Sequence, residues 1–284
     1  MNWINFPPDV KIGIVSASRN CFPRELSEKR TANILAETEK LGLKIIRPEG
    51  RYAIIESKAD ALEAAAGLLE KGCDAAVLYL GNFSPEIEDA NFVKAFGRPI
   101  LAIAAAEESA ESVSSARGDA LCGLMSATLA IAKRGLSQKV VIPQNPLVSA
   151  REGAEEILRF SKIVKVVKGI SNATIGLFGP RPRDFESCNY NVASLASIGV
   201  EVEEFGLFDL ENEIAKIRSE NPASADAIKE SISQVDGVDD TTLAERLALY
   251  ERALLTCAKN SGCLELLHSA GRAKRSFLSM FRAL

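Results

Sequence analysis

Histidine is almost absent from this sequence, since His268 is the only one in 284 residues. A Ser–His–Asp triad, an HExxH motif and a zinc site built on imidazole therefore have no support. The six cysteines are scattered at irregular intervals: Cys21, Cys73, Cys122, Cys188, Cys257 and Cys263. Because they form no CxxC pair, the sequence predicts reduced thiols in a cytoplasmic protein rather than a zinc site or a disulfide framework.

Long apolar runs and an excess of positive charge are missing too. No stretch reaches the roughly 18 apolar residues of a membrane span, and the first residues lack the basic and apolar regions of a signal peptide. The net charge of −4 argues against nucleic acid or an anionic membrane as the main partner. The sequence has no GxGxxG after its first predicted strands and no GxxxxGK[ST], so nucleotide binding has little support.

What the sequence does contain is a regular alternation of short apolar runs and amphipathic stretches. The predicted strands are VKIGIVSAS (10–18), LKIIRP (43–48), CDAAVLYLG (73–81), PILAIAA (99–105), NATIGLFG (172–179) and VEVEEFG (200–206), with helices between them. This alternation predicts an α/β fold with two Rossmann/flavodoxin-like three-layer domains and parallel sheets. The second domain is predicted to be incomplete, because two parallel strands do not form a stable covered sheet.

The domain limits are predicted from changes in composition. The first domain is predicted to span residues 1–145 and the second residues 146–263, followed by an anomalous basic tail, residues 264–284. Residues 140–153 (VVIPQNPLVSAREG) contain two prolines and are predicted to cross between the two domains. The polar, acidic residues 220–242 are predicted to be an exposed insertion.

Three predicted strands end in unusually polar loops, where ligands bind in open α/β sheets. The loops are SASRNCFPRE, GNFSPE and GPRPRDFESCNYN. Guanidinium groups, amides and a carboxylate suit a polyhydroxylated or anionic ligand, because they satisfy its oxygen atoms in pairs. The candidate substrate-binding residues are Arg19, Arg24, Asn82, Phe83, Arg181, Arg183, Asp184 and Asn189.

Each of these candidates has a purely structural alternative. Arg183 and Asp184 would pair with each other at a helix N-terminus. Arg19 and Arg24 would be solvated charges in a first helical turn, and Phe83 would be a packing residue. The residues by themselves lead to a two-domain α/β protein that binds a small polar ligand.

Four motifs, in their order along the chain, resemble the L-fucose isomerase/L-arabinose isomerase superfamily. They are KIGIVSASRNCFPRELSEKRT, YLGNFSPE, GLFGPRPRDFESCNYN and VEVEEFGLFDL, and the resemblance to short fucose-isomerase-like members runs from about residue 10 to 263. It implies a cytoplasmic aldose–ketose isomerase of carbohydrate metabolism, with a third, β-rich domain and homo-oligomers (trimers or hexamers) whose active sites lie between subunits. It also implies a divalent metal, usually Mn²⁺, and paired carboxylates that move a proton through an enediol.

The sequence departs from this family at the catalytic centre. The resemblance implies that the catalytic carboxylates and the metal-binding histidine follow the helix that corresponds to Leu243–Lys259, and this sequence has no such segment. We therefore predict no catalytic residue and no Mn²⁺ ligand in this chain, and no activity for the chain by itself. The alternative is a non-catalytic two-domain protein that binds a sugar or another small molecule.

The tail from residue 264 onward differs in charge from the rest of the chain. It contains one acidic residue and four basic residues: Glu265, Arg272, Lys274, Arg275 and Arg282. It could be a basic amphipathic helix, a native ending that packs on the second domain, or the product of a shifted reading frame. We favour the last, because codons for residues 268–272 permit Gln-Cys-Trp-Pro in another frame, and the resemblance implies a CWP segment here.

Overall fold

The computed structural model describes residues 8–109, 117–171, 173–180, 183–184, 186–233 and 241–263. The chain forms two compact units. The first, called here the N-terminal unit, is Asp9–Lys165, and the C-terminal unit contains the described residues from Val166 to Cys263. The predicted domain limits stay a prediction, and the predicted basic tail and His268 lie outside the described residues.

The N-terminal unit is built on a parallel sheet. Its strands are β1 (Ile12–Ala17), β2 (Ile45–Ile46), β3 (Ile54–Ile55), β4 (Ala75–Leu80), β5 (Ile100–Ala105), β6 (Val140–Val141) and β7 (Leu147–Val148). Both β2 and β3 pair with one edge of β1, and both β6 and β7 pair with one edge of β5. With each split strand counted once, the order is 2-1-3-4-5, which is the flavodoxin-like order.

The sequence predicted that residues 140–153 cross between the two domains. The structure corrects this prediction, because part of the segment forms two short strands of the first sheet. Val140–Val141 pairs with Ile100–Leu101, and Leu147–Val148 pairs with Ala104–Ala105. The two prolines of this segment lie between the two short strands, where the ladder is interrupted. An edge strand tolerates such an interruption because one of its sides has no neighbouring strand to bond.

Within the described ranges, five helices cover this sheet: α1 (Arg24–Lys40), α2 (Lys58–Glu70), α3 (Glu86–Phe96), α4 (Ala120–Lys133) and α5 (Ala150–Ile170), the last of which continues beyond residue 165. Helix α2 begins at Ser57, whose side chain accepts a hydrogen bond from the backbone N–H of Asp60, and α3 ends at Gly97 with φ of 68°. Serine N-caps and left-handed glycine C-caps satisfy backbone groups that the helix itself cannot pair. All residues of β1, β4 and β5 are buried, so the prediction of a sheet covered on both faces is confirmed.

The C-terminal unit contains a second, small parallel sheet. In the described residues this sheet consists of β8 (Thr174–Phe178) and β9 (Glu201–Phe205). Its helices are α6 (Val192–Ser197), α7 (Leu207–Glu220), α8 (Asp226–Ser233) and α9 (Thr241–Asn260). The predicted α/β class is confirmed by a large parallel sheet flanked by helices and a second parallel sheet.

The predicted exposed insertion at residues 220–242 is confirmed for most of the residues that the structure describes there, but the segment also packs on the C-terminal unit. Helix α8 lies in this segment, and Ala225 and Ile232 are buried with Ala248 in a small core of helices. The segment is polar on average, but its few apolar residues are spaced to fall on one helix face. Among the described helices, none combines the length and apolarity that crossing a membrane would require.

Candidate functional site

The loops after β1 and β4 lie next to each other at the carboxyl edge of the first sheet. The two strands pair in parallel over their whole length, so their C-terminal ends meet at one edge. The connection after β1 leads to β2 on one side, and the connection after β4 leads to β5 on the other side. Such a reversal opens a crevice between the loops, and it is the usual ligand position in doubly wound sheets.

Asn82 joins these two loops. Its side chain is fully buried. The amide Nδ2 donates hydrogen bonds to Ser18 Oγ at 2.9 Å and to the carbonyl oxygen of Pro23 at 3.0 Å, and Oδ1 accepts one from the backbone N–H of Arg19 at 3.3 Å. Asn82 therefore holds the β1 loop in place, and its predicted contact with a substrate stays a prediction.

Arg19 lies over an aromatic platform formed by the same two loops. Its guanidinium carbon is 4.5 Å from the centroid of the Phe83 ring, and the Phe83 ring stacks on Phe22 at 5.8 Å with an interplanar angle of 8°. Phe83 is thus both a packing residue and a support for a cation. Within the described ranges, no carboxylate forms an ion pair with Arg19.

Arg24 is in a different electrostatic situation. It begins α1, and its guanidinium group donates to Glu28 Oε1 at 3.1 Å and to Glu56. These two carboxylates neutralise its charge, so the interpretation of Arg24 as a simply solvated charge is incomplete. Of the two arginines in this loop, Arg19 is therefore the one whose guanidinium group can bind an external anion or hydroxyl group.

A buried arginine that sequence reasoning missed lies behind this platform. The side chain of Arg30 is 3% exposed. Its Nη1 donates to the carbonyl oxygen of Gly81 at 2.8 Å, its Nε and Nη2 donate to Glu108 at 2.9 and 2.7 Å, and Nη2 also donates to Glu107 at 2.7 Å. Burial lowers the pKa of Arg30, but the hydrogen bonds to the two carboxylates raise it above its ordinary value overall.

The cluster formed by Arg30, Glu107 and Glu108, called here the Arg30 cluster, connects three segments. Glu107 Oε1 accepts the backbone N–H groups of Gly118 and Asp119 at 2.9 and 3.1 Å, and the N–H of Phe83 donates to the carbonyl oxygen of Gly118. The loop after β4, the residues after β5 and the start of α4 are thereby held together. The position of the Phe83 platform follows from this network.

A second missed group is the buried carboxyl of Asp89, in the first turn of α3. Ser84 Oγ donates a hydrogen bond to Asp89 Oδ2, while Oδ1 has no partner in the part of the chain that the structure describes. Burial raises the pKa of Asp89 to about 7; the Ser84 hydrogen bond and the charge of Arg19 act in the opposite direction. A carboxyl group of this kind can hold or release a proton near neutral pH.

Of the two missed groups, only the Arg30 cluster has a weak signal in the sequence. Arg30 lies three residues after Ser27 and four before Ile34 in α1, the spacing of residues that share one helix face, and the structure buries both of them. Two glutamates follow the apolar run of β5 directly, which is unusual after a buried strand. Asp89 has the ordinary position of a first-turn acid, and its burial could not be inferred from the local pattern.

The remaining predicted residues belong to the loop after β8 in the C-terminal unit. Arg183, Asp184 and Asn189 are exposed there, and the backbone N–H of Asn189 donates to the carbonyl oxygen of Glu186 at 3.0 Å. Arg181 lies outside the described residues. The substrate contacts predicted for these residues stay predictions.

The Mn²⁺ that the resemblance implies would need a cluster of carboxylate, imidazole or thiolate ligands. In those ranges, no group of three or more His, Cys, Asp or Glu side chains is arranged to hold a metal ion, so the residues present there do not fit Mn²⁺. Five cysteines form no disulfide: Cys21, Cys73, Cys122, Cys257 and Cys263. What the geometry does provide is an arginine on an aromatic platform with a buried acid behind it.

The comparison with known proteins places this site in a family. The model of the fucose/sulfoquinovose isomerase N-terminal domain matches residues 13–171, which is more than half of the 284-residue chain. The chain therefore belongs to the fucose/sulfoquinovose isomerase family, an isomerase-like family of sugar metabolism, and the predicted resemblance is confirmed. The matched segment contains Arg19, the Arg30 cluster and Asp89. A search of the curated proteins found no match.

Proposed function

We propose that this chain is an isomerase-like protein of sugar metabolism that binds a sugar in the crevice between the β1 and β4 loops. The observation that carries the proposal is the Arg19 guanidinium group, which lies on the Phe83 ring without a carboxylate partner among the described residues. Family membership supports a sugar as the ligand. The position at the reversal of strand order supports the same crevice.

The chemistry of this arrangement suits an oxygen-rich ligand. A guanidinium group donates parallel hydrogen bonds to neighbouring oxygen atoms, such as two hydroxyls of a sugar or two oxygens of a sulfonate. The Phe83 ring supports the cation from one side, which leaves N–H groups at its edge for a ligand. Arg24 is expected to contribute less, because Glu28 and Glu56 already bind its guanidinium group.

For the isomerisation itself, we propose a narrower role for the described residues. Aldose–ketose isomerisation moves a proton between neighbouring carbon atoms, and a metal can supply polarisation of the carbonyl. We propose that the described residues bind and orient the sugar, and no step of this proposal passes through a metal. We also propose that the protein is cytoplasmic and forms a homo-oligomer, a trimer or a hexamer, as the resemblance to the family implies.

Calorimetric titration of the full chain tests the binding proposal. The probes are sulfoquinovose and L-fucose, one anionic and one neutral. Arg19→Gln is expected to weaken binding by about 10- to 100-fold, because a hydrogen bond to a charged group contributes about 1.5–3 kcal/mol. The matched control is Arg151→Gln, since Arg151 is exposed on α5 and pairs only with Glu155 in the described residues.

The control variant should bind like the wild type. Equal binding by Arg19→Gln and the wild type would place the ligand elsewhere and contradict the proposal. Incubation of each sugar with the chain and Mn²⁺ separates the two function classes. Turnover would contradict the predicted inactivity, and saturable binding without turnover would support a non-catalytic sugar-binding protein.

A further inference from the structure

Asp89 lies behind the proposed ligand position, and no contact with the sugar has been assigned to it. Its side chain is fully buried. Ser84, which follows the platform residue Phe83, donates its hydroxyl to Oδ2, and Oδ1 is without a partner within the described ranges. A buried carboxylate would need more hydrogen bonds than this to remain ionised.

Adjacent residues connect Asp89 to the proposed ligand-binding arginine: the Arg19 guanidinium group lies on the Phe83 ring, and Ser84, the next residue, donates its hydroxyl to Asp89. Arg19 favours the ionised form of Asp89, while Glu88 and Glu86 from the same helical turn oppose it. Helices α2 and α4 pack on α3. Their own titratable side chains are Lys58, Asp60, Glu63, Glu70, Cys122 and Lys133. The positive charge of Arg19 lowers the pKa of Asp89, so the ionised form of Asp89 and the charge of Arg19 stabilise each other.

We propose that Asp89 controls the affinity of Arg19 for an anionic group of the sugar, an inference that rests on the proposed function. When Asp89 is neutral, the positive charge of Arg19 is free to attract the ligand. In its ionised form, Asp89 competes with the ligand for the same positive charge. An anionic sugar therefore binds more weakly as Asp89 loses its proton.

The direction of the pH effect follows from this competition. Burial raises the pKa of Asp89 to about 7, so the neutral form predominates below that pH and the ionised form above it. Binding of an anion favours the neutral form, and by thermodynamic reciprocity the protein takes up protons when the anion binds. A neutral sugar has no such linkage.

The first test needs no ligand. Carbon-13 NMR of aspartate-labelled full-length protein follows the titration of the Asp89 carboxyl group, assigned by its loss in Asp89→Asn. The expected midpoint is higher in Arg19→Gln than in the wild type, because the favourable charge is removed. Arg151→Gln is expected to leave it unchanged. An identical midpoint in Arg19→Gln and the wild type would show that the two groups are not coupled and would overturn the inference.

The second test uses sulfoquinovose, whose sulfonate stays ionised throughout the range. Its affinity for the wild type is expected to fall about 5-fold or more between pH 6 and pH 8.5, in line with ordinary coupling between sites. Asp89→Asn should remove this dependence, while Glu63→Gln, which removes an exposed charge on α2, should keep it. L-fucose should bind with the same affinity at both pH values.

Two further outcomes separate the inference from the proposed function. If neither sugar binds at any pH, the proposed function is refuted, and the NMR titration still decides whether Arg19 and Asp89 are coupled. Ser84→Ala keeps the carboxyl group but removes the hydrogen bond that favours its ionised form. The pH at which sulfoquinovose affinity falls should therefore move upward in this variant, and an unchanged profile would overturn the inference even if Asp89→Asn does not fold.

Discussion

Replacing Arg30 by methionine tests whether the Arg30 cluster holds the carboxyl edge of the first sheet together. The arginine side chain is 3% exposed, whereas its partners Glu107 and Glu108 are 22% and 46% exposed. Methionine has a similar length and is apolar, so the variant removes the charge and the hydrogen bonds without opening a large cavity. The carbonyl oxygen of Gly81 and both carboxylates would lose a buried partner.

The expected loss can be estimated from these exposures. Breaking a buried ion pair by removing one partner costs about 3–5 kcal/mol, because the remaining charge is left without compensation. Water can reach Glu108 and part of Glu107, which reduces this cost, while the buried Gly81 carbonyl adds about 1–3 kcal/mol. We expect Arg30→Met to lower the free energy of unfolding of the N-terminal unit by about 3 kcal/mol.

The dependence on pH gives this prediction a second signature. The hydrogen bond from Arg30 lowers the pKa of Glu108 below its ordinary value of 4.5. A carboxyl group with a lowered pKa stabilises the folded state at pH values above the ordinary pKa, and this stabilisation is lost as the pH falls through the pKa of the folded state. The difference between Arg30→Met and the wild type should therefore be full at neutral pH and smaller in acid.

Urea unfolding of the full chain with pulse labelling of Cys73 measures this quantity. Cys73 is fully buried in the N-terminal unit, so its thiol reacts only when that unit unfolds, and the pulse can be applied at one fixed pH after equilibration. The control is Arg151→Met, which removes an exposed ion pair of α5 and should cost less than about 1 kcal/mol. An equal effect of the two substitutions would refute the reasoning for the Arg30 cluster.

Two further predictions use the same labelling assay. A Cβ at Gly118 would lie 2.2 Å from Arg30 Nη1, so Gly118→Ala should destabilise the N-terminal unit by about 1–3 kcal/mol. The control is Gly67→Ala, which should be neutral or stabilising because no atom lies closer than 4.0 Å to its Cβ. Equal effects of the two substitutions would contradict the close approach of Arg30 to Gly118. The pKa of Asp89 is raised from 3.8 to about 7, so the contribution of Asp89 to stability, taken as the difference between the wild type and Asp89→Asn, should fall by about 4 kcal/mol as pH rises between these values. Parallel pH profiles of the two proteins would contradict this prediction.

Much of the first sheet could be predicted from local patterns. The apolar run at 73–81 became β4 (Ala75–Leu80), and the run at 99–105 became β5 (Ile100–Ala105). Continuous burial on both faces leaves a continuous apolar run in the sequence, which is why these strands were visible. Of the short edge strands, β2 (Ile45–Ile46) lies within the predicted run LKIIRP (43–48). The other three, β3, β6 and β7, were not predicted, because pieces of two residues are too short to show a period.

The candidate site was predicted in part. The polar loops after β1 and β4 were recognised as a ligand position, and the structure brings their residues Arg19, Asn82 and Phe83 together. The different situations of Arg19 and Arg24 were not predictable, because both are arginines in one polar loop. Glu56, which binds Arg24, is 32 positions away in the sequence.

The sequence by itself determined the class of fold, the order of its strands and helices along the chain, and the loops that carry its cations. These properties depend on local composition and on the period of apolar residues, which report burial directly. The tertiary structure decided which charges are neutralised. Arg30 pairs with Glu107 at a separation of 77 positions, and Asp89 is buried with one carboxyl oxygen that has no partner among the residues that the structure describes. A pattern of apolar residues records that a position is buried, whereas the partner of a buried charge is set by how distant segments meet.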